Sequence, residues 1–207
     1  MEADKRNIQI KEKLREHIPE AFIAYVHDLL CSTDVRFRIV APRKTKLGDF
    51  RRAINGQGIP QITINNNLNP YAFLITTLHE IAHLNTYLKY NLGVKAHGKE
   101  WKFEFQQLLH PLLSAHEFPE TLKTCLKNTI KNTKAASYSD IALSRALRKF
   151  DLQKKGLHLE QIEPGAHFIL NKKSFKKGKL RRTRYLCSEL RTGKAYLIHA
   201  LAEVNSI

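Results

Sequence analysis

Cysteine is scarce in this chain. Cys31, Cys125 and Cys187 lie far apart and form no C-x-x-C pair. That argues against a disulfide framework and against a cysteine-rich zinc site, and it fits the reduced thiols of a cytosolic protein. Long apolar runs are missing as well. No stretch approaches the ~18 to 20 residues that a membrane span needs, so no membrane partner is expected. The opening MEADKRNIQIKEKLREHIPE is charged throughout and has no apolar h-region, which points away from a signal peptide and toward the cytoplasm. Acidic residues are scarce in one part only. Residues 1 to 120 hold 16 Lys and Arg against 13 Asp and Glu, whereas residues 121 to 207 hold 19 against 6. The net charge of +16 is therefore concentrated in the C-terminal part, where it suggests a polyanionic partner, nucleic acid first.

What remains is an ordinary soluble composition. With 207 residues, 43% of them hydrophobic, the chain can build one good core and a smaller appendage. Residues 8 to 31 show helical spacing interrupted by Pro19. VRFRIV, LGDFRRAI and PQITINNN read as three strands of a small antiparallel sheet. Residues 69 to 93 form the best-defined helix, with Asn69 suited to the N-cap, Pro70 to the first turn and Gly93 to the end. A further helix carried by Trp101, Phe105, Leu108 and Leu109 should stop at Pro111, and helices follow over about 118 to 132 and 139 to 151. From Leu157 short β-like runs alternate with turns. The expected class is α+β. A domain over 1–115 is followed by a helical connector over 116–156 and a small basic β-subdomain over 157–207.

The chemistry is concentrated in TTLHEIAHLNTYLKYNLGVKAHGKEW, residues 76 to 101. Positions i and i+4 share a helix face, so His79 and His83 present two imidazoles to one tetrahedral metal ion. Glu80 sits beside the first ligand, where its carboxylate can take a proton from a water on the same ion. This is the logic of H-E-x-x-H on a helix. Thr86 and Lys89 stand where a metzincin needs Gly and His, so the third ligand comes from elsewhere. His97, beside Gly98 at a loop-to-helix junction, is favoured; Glu100 and Glu104 are the acidic alternatives. Trp101, Phe103 and Phe105 read as core residues, and no catalytic role is assigned to Tyr87 or Tyr90.

HEIAHLNTYLKYNLGVKAHGKEWK resembles the SprT-like metallopeptidases, whose eukaryotic relatives include the Spartan proteases. The resemblance covers roughly residues 15 to 115. It implies a compact zincin-type fold, one zinc ion per chain on His79, His83 and His97, and Glu80 as general base. For Spartan-type members it further implies proteolysis of proteins crosslinked to DNA, a DNA-repair activity for which DNA is the activator. Many relatives end in a zinc ribbon with paired C-x-x-C knuckles. Here Leu190 stands where a second cysteine would follow Cys187, so an apolar core is expected to replace that metal.

KKSFKKGKLRRTRY, residues 172 to 185, makes Lys172, Lys173, Lys176, Lys177, Lys179, Arg181, Arg182 and Arg184 candidate phosphate contacts, with Phe175 and Tyr185 available for stacking. No base-reading motif is visible, so binding should be sequence-independent. Three functions compete: a zinc metallopeptidase acting on protein substrates near DNA, a nucleic-acid-binding protein with a structural zinc, and a zinc hydrolase of non-peptide substrates. The intact Glu80 and the lack of an obvious fourth protein ligand favour the first.

Overall fold

A computed structural model describes residues 2–43, 45–53, 58–90, 93–131, 141–151 and 156–207. The chain divides into two compact units, Met1–Asp151 and Leu152–Ile207.

The first unit is mixed α and β. Helix α1 (Glu2–Arg15) and helix α2 (Ile23–Cys31) are separated at Pro19, which opens a short 3-10 turn. Strands β1 (Arg36–Val40), β2 (Gly48–Arg51) and β3 (Gln61–Asn65) form a sheet in the order β1-β3-β2. β2 pairs antiparallel with β3, but β1 runs parallel to it, so the sheet is mixed rather than antiparallel. The two edge strands never pair with each other, and local turn chemistry gives no signal for such a register. Phe37, Ile62 and Ile64 face the core.

Helix α3 (Pro70–Lys89) starts as its caps require. Asn69 Oδ1 accepts from the Ala72 amide at 2.9 Å, and Pro70 occupies the first turn. Asn69 Nδ2 also donates to the Leu147 carbonyl and to Asp151 Oδ1, so one side chain ties two helix ends together. α3 ends at Lys89, short of Gly93. Helix α4 (Lys99–Ser114) runs through Pro111 instead of stopping there. Pro111 and Gln107, whose carbonyl loses its helical donor, are both exposed, while Leu112 just beyond is buried. Water can satisfy the orphan carbonyl, and burial of the last turn outweighs the lost bond.

Helices α5 (Glu120–Lys131) and α6 (Ile141–Arg148) fall within the stretch expected to connect two domains. They belong to the first unit instead, since Leu122, Leu126, Leu143 and Leu147 join its core. Phe118 meets Phe22 and Tyr71 edge-on at 5.8 and 5.7 Å. Their amphipathic faces alone did not disclose which surface they cover.

The second unit is an antiparallel sheet of β4 (His167–Leu170), β5 (Lys173–Lys176), β6 (Leu180–Arg181), β7 (Arg184–Glu189), β8 (Ala195–His199) and β9 (Asn205–Ser206). β4 and β5 are joined by Asn171 and Lys172, both at positive φ, as a two-residue hairpin turn requires. LHLEQI, expected to be extended, forms a 3-10 turn over Leu159–Gln161. Leu159, Phe168, Phe175, Cys187, Ile198 and Val204 make the core, and burial raises the Cys187 thiol above its ordinary value. Among the described residues no helix is long and apolar enough to cross a membrane.

Candidate metal centre

His79 and His83 project from successive turns of α3, and His97 reaches them from the junction that leads into α4. The three Nε2 atoms form a nearly equilateral triangle: 3.3 Å between His79 and His83, 3.1 Å between His83 and His97, 3.2 Å between His97 and His79. Four ligands arranged tetrahedrally at about 2.0 to 2.1 Å from zinc would lie about 3.3 to 3.4 Å apart, so the triangle fits one face of that site. Among the described residues this is the group of three or more His, Cys, Asp or Glu that could hold a metal ion.

His97 adopts φ of 59°, the left-handed region that a non-glycine residue enters at a cost of roughly 1 to 2 kcal/mol. Strain of this kind persists only where surroundings impose it. Here Gly98 follows, and its amide donates to the Lys95 carbonyl at 2.8 Å. A Cβ at Gly98 would lie 2.8 Å from that same carbonyl, so the turn that aims His97 needs glycine.

The acidic alternatives are engaged elsewhere. Glu104 is buried, with Lys89 Nζ at 2.7 Å and the Tyr90 hydroxyl at 3.2 Å. This contact joins the end of α3 to α4 and so helps set the distance between His83 and His97. Glu100 lies 3.8 Å from Lys99 and is not part of the convergent set.

All three imidazoles are disposed to be neutral. Burial, then the neighbouring rings of His83 and His97, depress His79 to about 3. Burial and His97 depress His83 to about 4. His97 is lowered by burial and by Lys102. Neutral rings turn three lone pairs toward one point, which is what a cation requires.

Glu80 is buried next to them. Burial pushes it up to about 8, Asp49 adds to the rise, and Arg43, Lys46 and the Phe50 amide oppose it. A divalent cation on the imidazoles would act with the opposing group. Phe50 N–H donates to this carboxylate, and Gly48 on the same strand leaves space for it. A Cβ at Gly48 would sit 2.5 Å from Glu80 Oε1 and 2.8 Å from its Cγ. Asp49 is ion-paired to Lys46 at 2.7 Å and Arg51 at 2.9 Å; burial works against its charge, but these partners hold it below its ordinary value.

The site opens into a cleft of about 490 Å³ whose lining includes Lys46, Phe50, Arg52, Tyr87, Lys95 and Trp101. Trp101 is buried, yet its ring centroid lies 4.7, 5.3 and 4.6 Å from those of His79, His83 and His97. It is thus both core and back wall of the site. Phe105 stacks behind it at 4.9 Å, whereas Phe103, expected in the core, is 53% exposed. The contributions of Gly48 and the Phe50 amide were invisible in the sequence, because nothing local links β2 to Glu80. Chemically, the arrangement can hold one cation on three neutral donors beside a single buried carboxylate, at a cleft open to solvent.

In the second unit, Lys172, Lys176, Lys179, Arg181, Arg182 and Arg184 are exposed. Lys173 pairs with Glu189 at 3.3 Å. Lys177 is not available to a phosphate. It is 4% exposed, donates to the Glu160 and Ile162 carbonyls and lies 4.3 Å over the Tyr185 ring. Burial lowers its pKa. Phe175 stacks on Phe168 at 5.5 Å inside the core and is withdrawn from any base.

No protein-family model, no curated protein and no solved structure matches this chain.

Proposed function

We propose that the chain is a zinc-dependent metallopeptidase that hydrolyses peptide bonds, with DNA-associated or DNA-crosslinked proteins as its substrates. The observation that carries this reading is the triangle of three Nε2 atoms beside a buried carboxylate at an open cleft. When bound, zinc supplies Lewis acidity and lowers the pKa of a water toward 7. His79, His83 and His97 hold the cation with neutral nitrogens. Glu80 takes the proton of the attacking water and returns it to the leaving amine. The Phe50 amide and the absence of a side chain at Gly48 keep that carboxylate in place, and Trp101 closes the back of the site against water.

The competing reading is a nucleic-acid-binding protein with a structural zinc. Structural sites enlist four protein ligands, and three converge here among the described residues. A carboxylate buried next to them would serve no purpose in such a site. The nucleic-acid part of the proposal rests on the exposed Lys and Arg of the second unit. The test is hydrolysis of an unstructured protein such as casein by the purified chain. Activity should disappear with a chelator and return with zinc; cleavage that survives metal removal would overturn the reading.

A further inference from the structure

The first unit holds 23 Lys and Arg against 15 Asp and Glu, and its charge is segregated. Residues 35 to 52 hold seven Lys and Arg against a single Asp, while the rest of the unit holds 16 against 14. This segment contains β1 and β2, the two edges of the first unit's sheet.

Pleating decides where the charges go. Phe37 is buried and faces the core, so Arg36 and Arg38 on either side of it face outward, and both are exposed. The register places Arg36 beside Gln61 and Gln61 beside Arg51, one row across all three strands. The next row is Arg38, Thr63 and Asp49. Arg43 lies on the same face, donating to Thr63 Oγ1 at 2.9 Å and to Asn65 Oδ1 at 2.8 Å. The only acid in these rows, Asp49, is already taken by Lys46 and Arg51. Among the described residues no acidic partner is found for Arg36, Arg38 or Arg52. At about 3.3 Å per residue along a strand and about 4.8 Å between strands, Arg36 stands roughly 7 Å from Arg38 and roughly 10 Å from Arg51. β2 carries this face to the metal cleft, whose lining includes Lys46 and Arg52.

We propose that this outer sheet face binds the phosphodiester backbone of a nucleic acid, as a contact separate from the basic residues of the second unit. Guanidinium forks on a polar face suit phosphate oxygens. A protein partner would want an apolar anchor, and none of the outward residues in these rows is an exposed large apolar side chain. Among the described residues of these rows no aromatic side chain accompanies the arginines, so the contact is to backbone and indifferent to sequence. Given the peptidase reading, on which this consequence rests, nucleic acid held there keeps a protein attached to it beside the cleft.

The test uses the full-length, zinc-loaded chain and fluorescein-labelled 20-nucleotide single-stranded DNA, duplex DNA and RNA, titrated from low to moderate salt. Arg36→Ala/Arg38→Ala should weaken binding to all sequences alike. It should also flatten the log–log salt slope by about 1.4 to 1.8, for two lost phosphate contacts at about 0.7 to 0.9 each. The slope that remains should fall further when Lys176, Arg181 and Arg182 are also replaced by Ala. Zinc content and hydrolysis of casein without nucleic acid should not change in the double variant. Unchanged affinity and slope in that variant would overturn the proposal. So would binding of a poly-glutamate peptide that the double variant loses while nucleic-acid binding persists, because the face would then serve an acidic protein. Failure of the peptidase reading shows separately: Glu80→Gln would then leave hydrolysis intact, and the salt slopes would be unaffected by it.

Discussion

Replacing Gly48 by Ala places one methyl group against the reacting carboxylate. The new Cβ would lie 2.5 Å from Glu80 Oε1, 2.8 Å from Glu80 Cγ and 2.8 Å from Thr76 Cγ2. Ordinary contacts between such atoms begin near about 3.5 Å, so something must give by roughly 0.7 to 1 Å. Thr76 is on the buried face of α3, and its hydroxyl donates to the Ala72 carbonyl at 2.6 Å. The Glu80 side chain is the softer neighbour and should move, losing the Phe50 amide. Misplacement of a reacting group by about 1 Å costs on the order of 10²-fold. The expected result is a fall in kcat of about 10²-fold, at the low end of the loss expected on removing the base altogether. None of the three atoms nearest the new Cβ belongs to an imidazole, so zinc should stay at one per chain. Overpacking should destabilise by about 1 to 3 kcal/mol, partly offset by the lower entropy of an unfolded chain with Ala. Peptide hydrolysis, elemental analysis of zinc and a thermal melt decide the matter together. A folded, zinc-loaded Gly48→Ala with undiminished kcat would refute the argument that β2 positions Glu80.

His97→Ala should sharply lower zinc occupancy by elemental analysis, and Glu100→Gln should not; the reverse would move the third ligand to the carboxylate. Lys177→Ala strands the Glu160 and Ile162 carbonyls, so it should destabilise the second unit by about 1 to 3 kcal/mol by melting. The same change should leave the salt slope of nucleic-acid binding intact. Metal-free protein should lose stability as the pH falls from about 6.5 toward 4. His79 and His83 stay neutral in the folded chain down to about 3 and 4, while the unfolded chain takes up protons from about 6.5 downward; Glu80, raised to about 8, is protonated in the folded chain over this range and offsets only one of these two contributions. A melting temperature in chelator that is flat across that range would contradict buried, neutral imidazoles.

The candidate site was legible in the sequence wherever it depends on local geometry. His79 and His83 follow from helical spacing, the Asn69–Pro70 start follows from capping, and the Gly98 turn that aims His97 follows from two adjacent residues. What depends on tertiary register was not legible. The parallel pairing of β1 with β3 brings together strands separated by β2, and no turn signals it. Gly48 reads only as a glycine within the expected strand LGDFRRAI until β2 is laid against α3. Lys177 looks like its charged neighbours, and only the Glu160 and Ile162 carbonyls that receive it show that it points inward while Lys176 is exposed. Pro111 reads as a stop in the sequence, but its effect depends on whether the orphan carbonyl reaches water. The helices of residues 120 to 148 were amphipathic on sight, but amphipathicity does not say which core they join.

The central claim is that Glu80 is a general base beside a three-histidine zinc site. Glu80→Gln keeps the shape of the side chain and removes its capacity to accept a proton. The variant should bind one zinc per chain, melt like the parent and lose hydrolysis by about 10² to 10⁴-fold or more. A zinc-loaded Glu80→Gln that cleaves casein at the parent's rate would contradict the account.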